Sequence, residues 1–158
     1  MNLSDLASDT WKFELNEPED VSLAFIAQWY RTHIGDLNNL INNGYYINDS
    51  YEIEDSSGVA IDEDAASIFK KLFEIYYLKK QSKSFLGANG VDSISQITQD
   101  GITFKGVERN GIAKTYNELY KEAKNELKSL LNNYKFNKSL AVHVIGDDII
   151  SKYDVTAE

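Results

Sequence analysis

His33 and His143 are the only imidazoles in the chain. A metal site or general base built on histidine ordinarily needs a partner carboxylate or a second ligand. Asp36 follows His33 by three residues and Asp147 follows His143 by four, but both histidines read more simply as a residue near a helix end and a residue of a C-terminal segment. Asp62-Glu63-Asp64 has the charge to hold a divalent cation. No glycine-interrupted acidic loop follows it, and a run of acids is also what the positive end of a helix dipole favours, so capping is the better reading. Asp147-Asp148 after Gly146 reads as a turn. Gly87-Ala88-Asn89-Gly90 lacks the Gly-Lys-Ser or Gly-Lys-Thr of a phosphate loop and reads as a helix end and loop. No serine stands in a Gly-x-Ser-x-Gly setting. Cysteine is absent, which removes disulfides, thiolate ligands and cysteine nucleophiles. The residues therefore nominate no catalytic group, no metal ligand and no cofactor, and the expectation is a protein that is not an enzyme.

What must position these residues is one domain over 1–158, long enough to bury a core. The hydrophobic share of 42% and the ten tyrosines are far above what a disordered chain carries. The net charge of −9 argues against broad binding to nucleic-acid phosphates, which needs a basic surface. Met1-Asn2-Leu3-Ser4-Asp5 has neither the basic region nor the apolar run of a signal peptide, and no apolar stretch reaches membrane-spanning length, so a protein of the cytoplasm with no membrane partner is expected.

The pattern is mainly α, a bundle of four or so helices with one small β-hairpin and an extended C-terminal tail. Residues 1–17 read as an N-terminal arm, because Trp11, Phe13 and Leu15 alternate with polar neighbours. The helical core spans 18–139. Pro18 suits a first helical position, followed by the acids Glu19 and Asp20. Phe25, Ile26, Trp29 and Tyr30 form a helical stripe, Gly35 is expected to end that helix, and Asp36 to cap a second short one closed by Gly44. The Asn-, Asp- and Ser-rich stretch 45–61 reads as a loop whose tyrosines pack on something. Asp62 opens a helix with Ala65, Ile68, Phe69, Leu72, Ile75 and Tyr76 on one face and Lys70, Lys71, Lys79, Lys80 and Lys83 on the other, ending near Gly87. Asn110 is expected to cap a helix of about 25 residues, whose stripe includes Tyr116, Leu119, Tyr120, Ala123, Leu127, Leu130, Leu131 and Tyr134.

Three features point to contacts beyond the chain. Asp100-Gly101 is a strong two-residue turn signal within a hairpin at 93–107. Pairing outward from it sets Gln99 opposite Ile102 and Ile97 opposite Phe104, with Ile97, Ile102 and Phe104 on one face. A lone two-stranded hairpin is marginal in water, so that face must be covered. Residues 140–158 carry Leu140, Val142, Val144 and Ile145, β-favouring and without an obvious partner. Charge is also split: the lysine row around Lys79 and Lys80 faces acidic stretches at 1–20, 45–64 and the tail. One copy's basic helix can meet the next copy's acidic loop, as in a head-to-tail ring, although the fold can equally satisfy those charges internally.

Several local patches resemble the head-to-tail connector, or adaptor, proteins of tailed bacteriophages. They are Trp29-Tyr30-Arg31 with Gly35-Asp36-Leu37-Asn38-Asn39-Leu40-Ile41, Ile68-Phe69 with Tyr76-Tyr77, Leu86-Gly87-Ala88, the Asp100-Gly101 hairpin, Ala113-Lys114-Thr115-Tyr116, and Gly146-Asp147-Asp148. The likeness covers about residues 20–150. It implies a virion structural protein, assembled in the host cytoplasm, that forms a twelvefold ring of copies beneath the portal and joins capsid to tail. Its partners would be itself, the portal and tail or further neck proteins, with DNA only passing through an acidic channel. The alternatives are a small cytoplasmic regulatory or inhibitory protein-binding module, and an enzyme that uses tyrosines and carboxylates in a cleft without a simple motif.

Overall fold

The computed structural model describes residues 1–87, 96–99, 102–105 and 109–153, with side chains over 1–85 and 111–139. Among these residues the fold is mainly helical: four α-helices with small two-stranded antiparallel pairings.

The chain begins with a helix. Helix α1 (Leu3–Asp9) runs directly into a π-helical turn, Thr10–Glu14. The Asn2 side chain caps it by accepting a hydrogen bond from the Ser4 N–H at 2.9 Å. Leu3, Leu6, Ala7 and Thr10 are all buried, at spacings of three and four residues. This corrects the expected arm at 1–17. The Trp11-Phe13-Leu15 alternation is not used as a strand, since Phe13 is 77% exposed. The helical stripe was hidden because its fourth member, Thr10, is polar.

Thr10 earns its buried position through hydrogen bonds. Its hydroxyl donates to the Leu6 carbonyl at 2.7 Å, so at the 2.6 Å contact with Tyr30 the tyrosine hydroxyl must be the donor. The Trp11 indole N–H donates to the carbonyls of Val21 at 3.1 Å and Pro18 at 3.3 Å. These bonds fold residues 15–22 back over α1.

Helix α2 (Leu23–Ile41) is one continuous element and starts later than expected. Leu23, not Pro18, is its first residue, and Ser22 caps it, accepting from the Phe25 N–H at 3.2 Å. Gly35 does not end it. A helical glycine costs about 1 kcal/mol relative to alanine, and the buried residues on either side, Trp29, Tyr30, Leu37 and Ile41, outweigh that. The helix stops at Asn42, which takes the left-handed conformation (φ 54°) that asparagine tolerates better than most residues. The Asn38 amide then grips the Tyr45 backbone at both ends, 2.8 and 2.9 Å, and turns the chain.

The stretch read as a loop holds a second small pairing. Strands β1 (Tyr46–Ile47) and β2 (Ile53–Glu54) are antiparallel, with Tyr46 opposite Glu54 and Ile47 opposite Ile53. Backbone bonds Ile53 N–H to Met1 O (3.2 Å), Leu3 N–H to Tyr51 O (2.8 Å) and Ile61 N–H to Ile53 O (2.9 Å) tie this lobe to both flanks. Tyr45, Ile53 and Ile61 are buried, so the expected packing of this stretch holds for Tyr45, while Tyr46 and Tyr51 point to solvent.

Helix α3 (Glu63–Gly87) forms as its sequence dictates. Asp62 caps it, its Oδ1 accepting from the Ala65 N–H at 2.7 Å. Ala65, Ile68, Phe69 and Phe73 are buried. Phe69 and Phe73 meet Tyr30 at ring-centroid distances of 4.5 and 5.9 Å, and Trp29 lies edge-on to Phe73 at 5.2 Å.

Strands β3 (Gln96–Gln99) and β4 (Ile102–Lys105) pair in the expected register, Gln99 with Ile102 and Ile97 with Phe104. Asp100 and Gly101 themselves lie outside the described residues. Helix α4 (Arg109–Tyr153) is 45 residues long. It begins one residue before the expected cap, which puts Asn110 inside its first turn. It also continues through 140–153, correcting the extended tail. Helix growth past an existing turn is cheap compared with nucleation, and no proline intervenes to stop it. Ala141, Ile145 and Ile149 recur every four residues, a helical spacing that coexists with the β-branched composition. Residues 154–158 lie outside the described part.

Helices α3 and α4 run antiparallel. Ser82 Oγ donates to the Ala113 carbonyl at 3.4 Å, Phe85 stacks on Tyr116 at 5.5 Å, Lys71 bridges Glu126 at 2.8 Å, and Lys138 reaches Asp62 at 3.4 Å. Because α1 supplies part of one core, Leu6→Ala is expected to lower stability by about 2–5 kcal/mol, as for other buried leucines. Urea unfolding followed by circular dichroism checks this. An unchanged midpoint would return residues 1–14 to the status of a loose arm.

Candidate interaction surfaces

Among the described residues weighed for chemistry, His33 serves packing and Asp62 serves capping. His33 lies within α2 and not at a helix end. Its ring stacks on Trp29 at 4.1 Å with only 8° between planes, and Nδ1 lies 2.8 Å from the Trp29 carbonyl. The Thr32 hydroxyl also lies 2.8 Å from Nδ1. Trp29, His33, Tyr76 and Phe25 thus form an aromatic wall between α2 and α3. The Trp29 indole N–H is buried without a hydrogen-bond partner among the described residues. The side chains of His143, Asp147 and Asp148 lie outside the described residues.

Asp62 does more than cap α3. Its Oδ2 accepts from the Tyr45 hydroxyl at 3.1 Å and from Lys138 at 3.4 Å, locking the β1–β2 lobe, the start of α3 and α4 together. Burial, reinforced by the Asp62 charge, pushes the Tyr45 phenol above its ordinary pKa.

The lysine row does not act as one face. Lys71 turns into a cleft between residues 14–15, α3 and α4, whose two adjoining recesses measure about 490 and 580 Å³. There it bridges Glu74 at 2.5 Å, Glu126 at 2.8 Å and Glu14 at 3.9 Å, with Glu122 also lining the wall. Burial works against its charge, but hydrogen bonds to Glu126 and Glu74 outweigh it and hold its pKa above the ordinary lysine value. With its ammonium spent on carboxylates, Lys71 is a strut. Lys79, Lys80 and Lys83 remain exposed, and Lys80 sits 4.9 Å over the Phe25 ring. Of the expected surface residues, Lys79 and Lys80 are therefore outward-facing. Ile97, Ile102 and Phe104 share the strand register already given, and Leu140, Val142, Val144 and Ile145 lie on α4; their side chains fall outside the described residues.

Sequence reasoning missed the exposed apolar groups. Leu23 and Phe25 are 45% and 38% exposed at the start of α2. Tyr46, Tyr51 and Val59 are 44%, 55% and 60% exposed on the β1–β2 lobe. The short strands were the available signal: Ile47 and Ile53 turn inward, so their neighbours Tyr46 and Glu54 must turn outward.

Comparison with known protein families, curated proteins and solved structures finds no match to this chain.

The buried tyrosines make a pH prediction. Desolvation raises the pKa of Tyr30 and Tyr45, and raises Tyr77 to about 12, where the Asp20 carboxylate accepting its hydroxyl proton at 3.2 Å adds to the effect. Each stays protonated in the fold while its unfolded counterpart ionises near pH 10. Stability is thus full below about pH 10 and falls as pH rises from about 10 towards 12, because the unfolded state binds fewer protons there. Urea titrations between pH 8 and 12 should show this fall, with a shallower slope for Tyr77→Phe. A midpoint constant across that range would contradict the burial of these phenols.

Proposed function

We propose that this protein is a structural connector: a ring-forming subunit that sits beneath a portal and joins a phage capsid to its tail. The reading rests on the resemblance of the patches named above. One geometric observation carries it further. The antiparallel α3–α4 pair bears a reaching element at each end.

At one end, where α3 finishes at Gly87 and α4 starts at Arg109, the connection carries the β3–β4 hairpin. At the other, Lys138 lies beside Asp62, the residue before α3 begins. Residues 139–153 of α4 continue from there, with no further turn of α3 opposite them. At 1.5 Å per residue that stretch is about 22 Å long. A subunit clamped between two different neighbours, portal on one side and tail on the other, needs such an element towards each. The chain's net charge of −9 suits a channel along which DNA slides without sticking.

Mixing the chain with purified portal rings tests the reading. The full chain is expected to sediment with the portal and add a layer of density beneath it in electron micrographs. A chain ending at Ser139 should keep its cooperative unfolding, lose only the helical signal of 140–153, and fall at least tenfold in portal-bound protein. If the full chain stays in the supernatant, the connector reading fails. If the truncated chain binds as well as the full one, the α4 extension has no part in it.

A further inference from the structure

We infer that the β1–β2 lobe of one copy docks on the Phe25–Lys80 face of the next, making a head-to-tail contact between copies of this chain. The inference deepens the connector reading by naming the two surfaces through which copies meet.

The charge along the chain is segregated. Residues 32–69 contain eight acids (Asp36, Asp49, Glu52, Glu54, Asp55, Asp62, Glu63 and Asp64) and no lysine or arginine. Residues 70–83 contain five lysines and one acid, Glu74. The fold uses up part of each set: Asp62 is committed to capping α3 and to Tyr45 and Lys138, and Lys71 to its carboxylates. What stays exposed is Asp49 and Glu52 of the lobe, with Glu54 and Asp55 half-buried beside them, and the lysines Lys79, Lys80 and Lys83. Arg31 borders the lobe beside Asp49 and Tyr51, and leaves it net negative.

Both surfaces have an apolar centre, which charge alone would not need. On the lobe, Tyr46 donates its hydroxyl to Glu54 at 2.7 Å and exposes its ring. Tyr51 holds a left-handed backbone (φ 61°) that a bulky side chain rarely adopts. Its carbonyl is held by the Leu3 N–H, and the Asn48 side chain accepts from the N–H groups of Ser50 and Glu52 on either side. The surrounding bonds thus fix an exposed aromatic ring in place. On the opposite surface, Phe25 and Leu23 are exposed beside the stripe Tyr76, Lys79, Lys80 and Lys83, which share one side of α3 by their spacing. Aromatic anchors rimmed by complementary charge are the usual make-up of a protein–protein contact.

Geometry decides the symmetry. The lobe adjoins Asp62 at the start of α3, and Lys80 lies 18 residues further on, about 27 Å along the axis. Two complementary but different patches that far apart cannot satisfy each other within one chain. They join copies heterologously, which closes into a ring or runs on as a filament.

The chain has no cysteine, so engineered ones are unique probes. Ser57 lies exposed on the lobe and Ser84 exposed one turn beyond Lys80. With a short bis-maleimide, the double variant S57C/S84C is expected to give a ladder of dimers, trimers and higher species. S57C or S84C alone should stay monomeric, and an equimolar mixture of the two should stop at dimers. Adding K79E/K80E/K83E should reduce the ladder at least tenfold, with circular dichroism confirming that the variant is folded. Dimers from either single variant would indicate a two-fold contact and overturn the inference, as would a double variant without products. The ladder requires no portal. A chain that binds portal but gives no ladder loses this interface and keeps the connector reading; the reverse result does the opposite.

Discussion

Tyr30 is the residue on which most of the structure converges. Its ring lies against Phe69 and Phe73 of α3, with Trp29 beside it, and its hydroxyl donates to Thr10 at the end of α1. A phenol buried this deeply must find a hydrogen-bond partner or lose about 1–3 kcal/mol in desolvation. The partner it finds is in the first dozen residues of the chain. One side chain therefore joins α1, α2 and α3, and the requirement to satisfy its hydroxyl places the N-terminal helix inside the fold.

From that centre the other constraints follow outward. Phe69 and Phe73 orient α3, and the remaining side of α3 takes α4 in antiparallel register from Ala113 to Lys138. Lys71 fixes the middle of that pairing by drawing Glu14, Glu74 and Glu126 to one point. Asp62 fixes its far end, serving as helix cap, phenol acceptor and lysine partner at once. Both groups are polar, and both sit where elements distant in sequence meet. The core supplies the stability, while these two clusters select the register in which the helices meet.

Elements with an unbroken apolar stripe and a good cap were legible in the sequence. Asp62 and the stripe through Ile68 and Phe69 placed α3, and Asp100-Gly101 placed the register of β3 and β4. The failures share a feature, since each came from trusting a local signal that the surrounding chain or its tertiary contacts override. Gly35 looked like a helix end, but buried residues on both sides carry α2 through it. Val142, Val144 and Ile145 looked extended, yet they lie on a helix already nucleated upstream. Residues 1–17 looked like an arm because the polar Thr10 breaks their helical stripe, and its partner, Tyr30, is 20 positions away. The lysine row was divided for the same reason: nothing near Lys71 in sequence except Glu74 announces that Glu14 and Glu126 will surround it. The candidate surfaces were legible in part, as Lys79 and Lys80. The exposed rings of Phe25, Tyr46 and Tyr51 emerge only once the inward faces are assigned.

The fold carries an acidic lobe before α3 and exposed lysines late in α3, and the inferred head-to-tail contact depends on copies joining through them. Sedimentation velocity of the free chain over a range of protein concentrations, at low and high salt, addresses that dependence most directly. Contacts between exposed opposite charges weaken as added salt screens them. The average mass should rise above 17.9 kDa with concentration at low ionic strength and return to 17.9 kDa in high salt. A mass that stays at 17.9 kDa at every concentration in low salt would contradict the account.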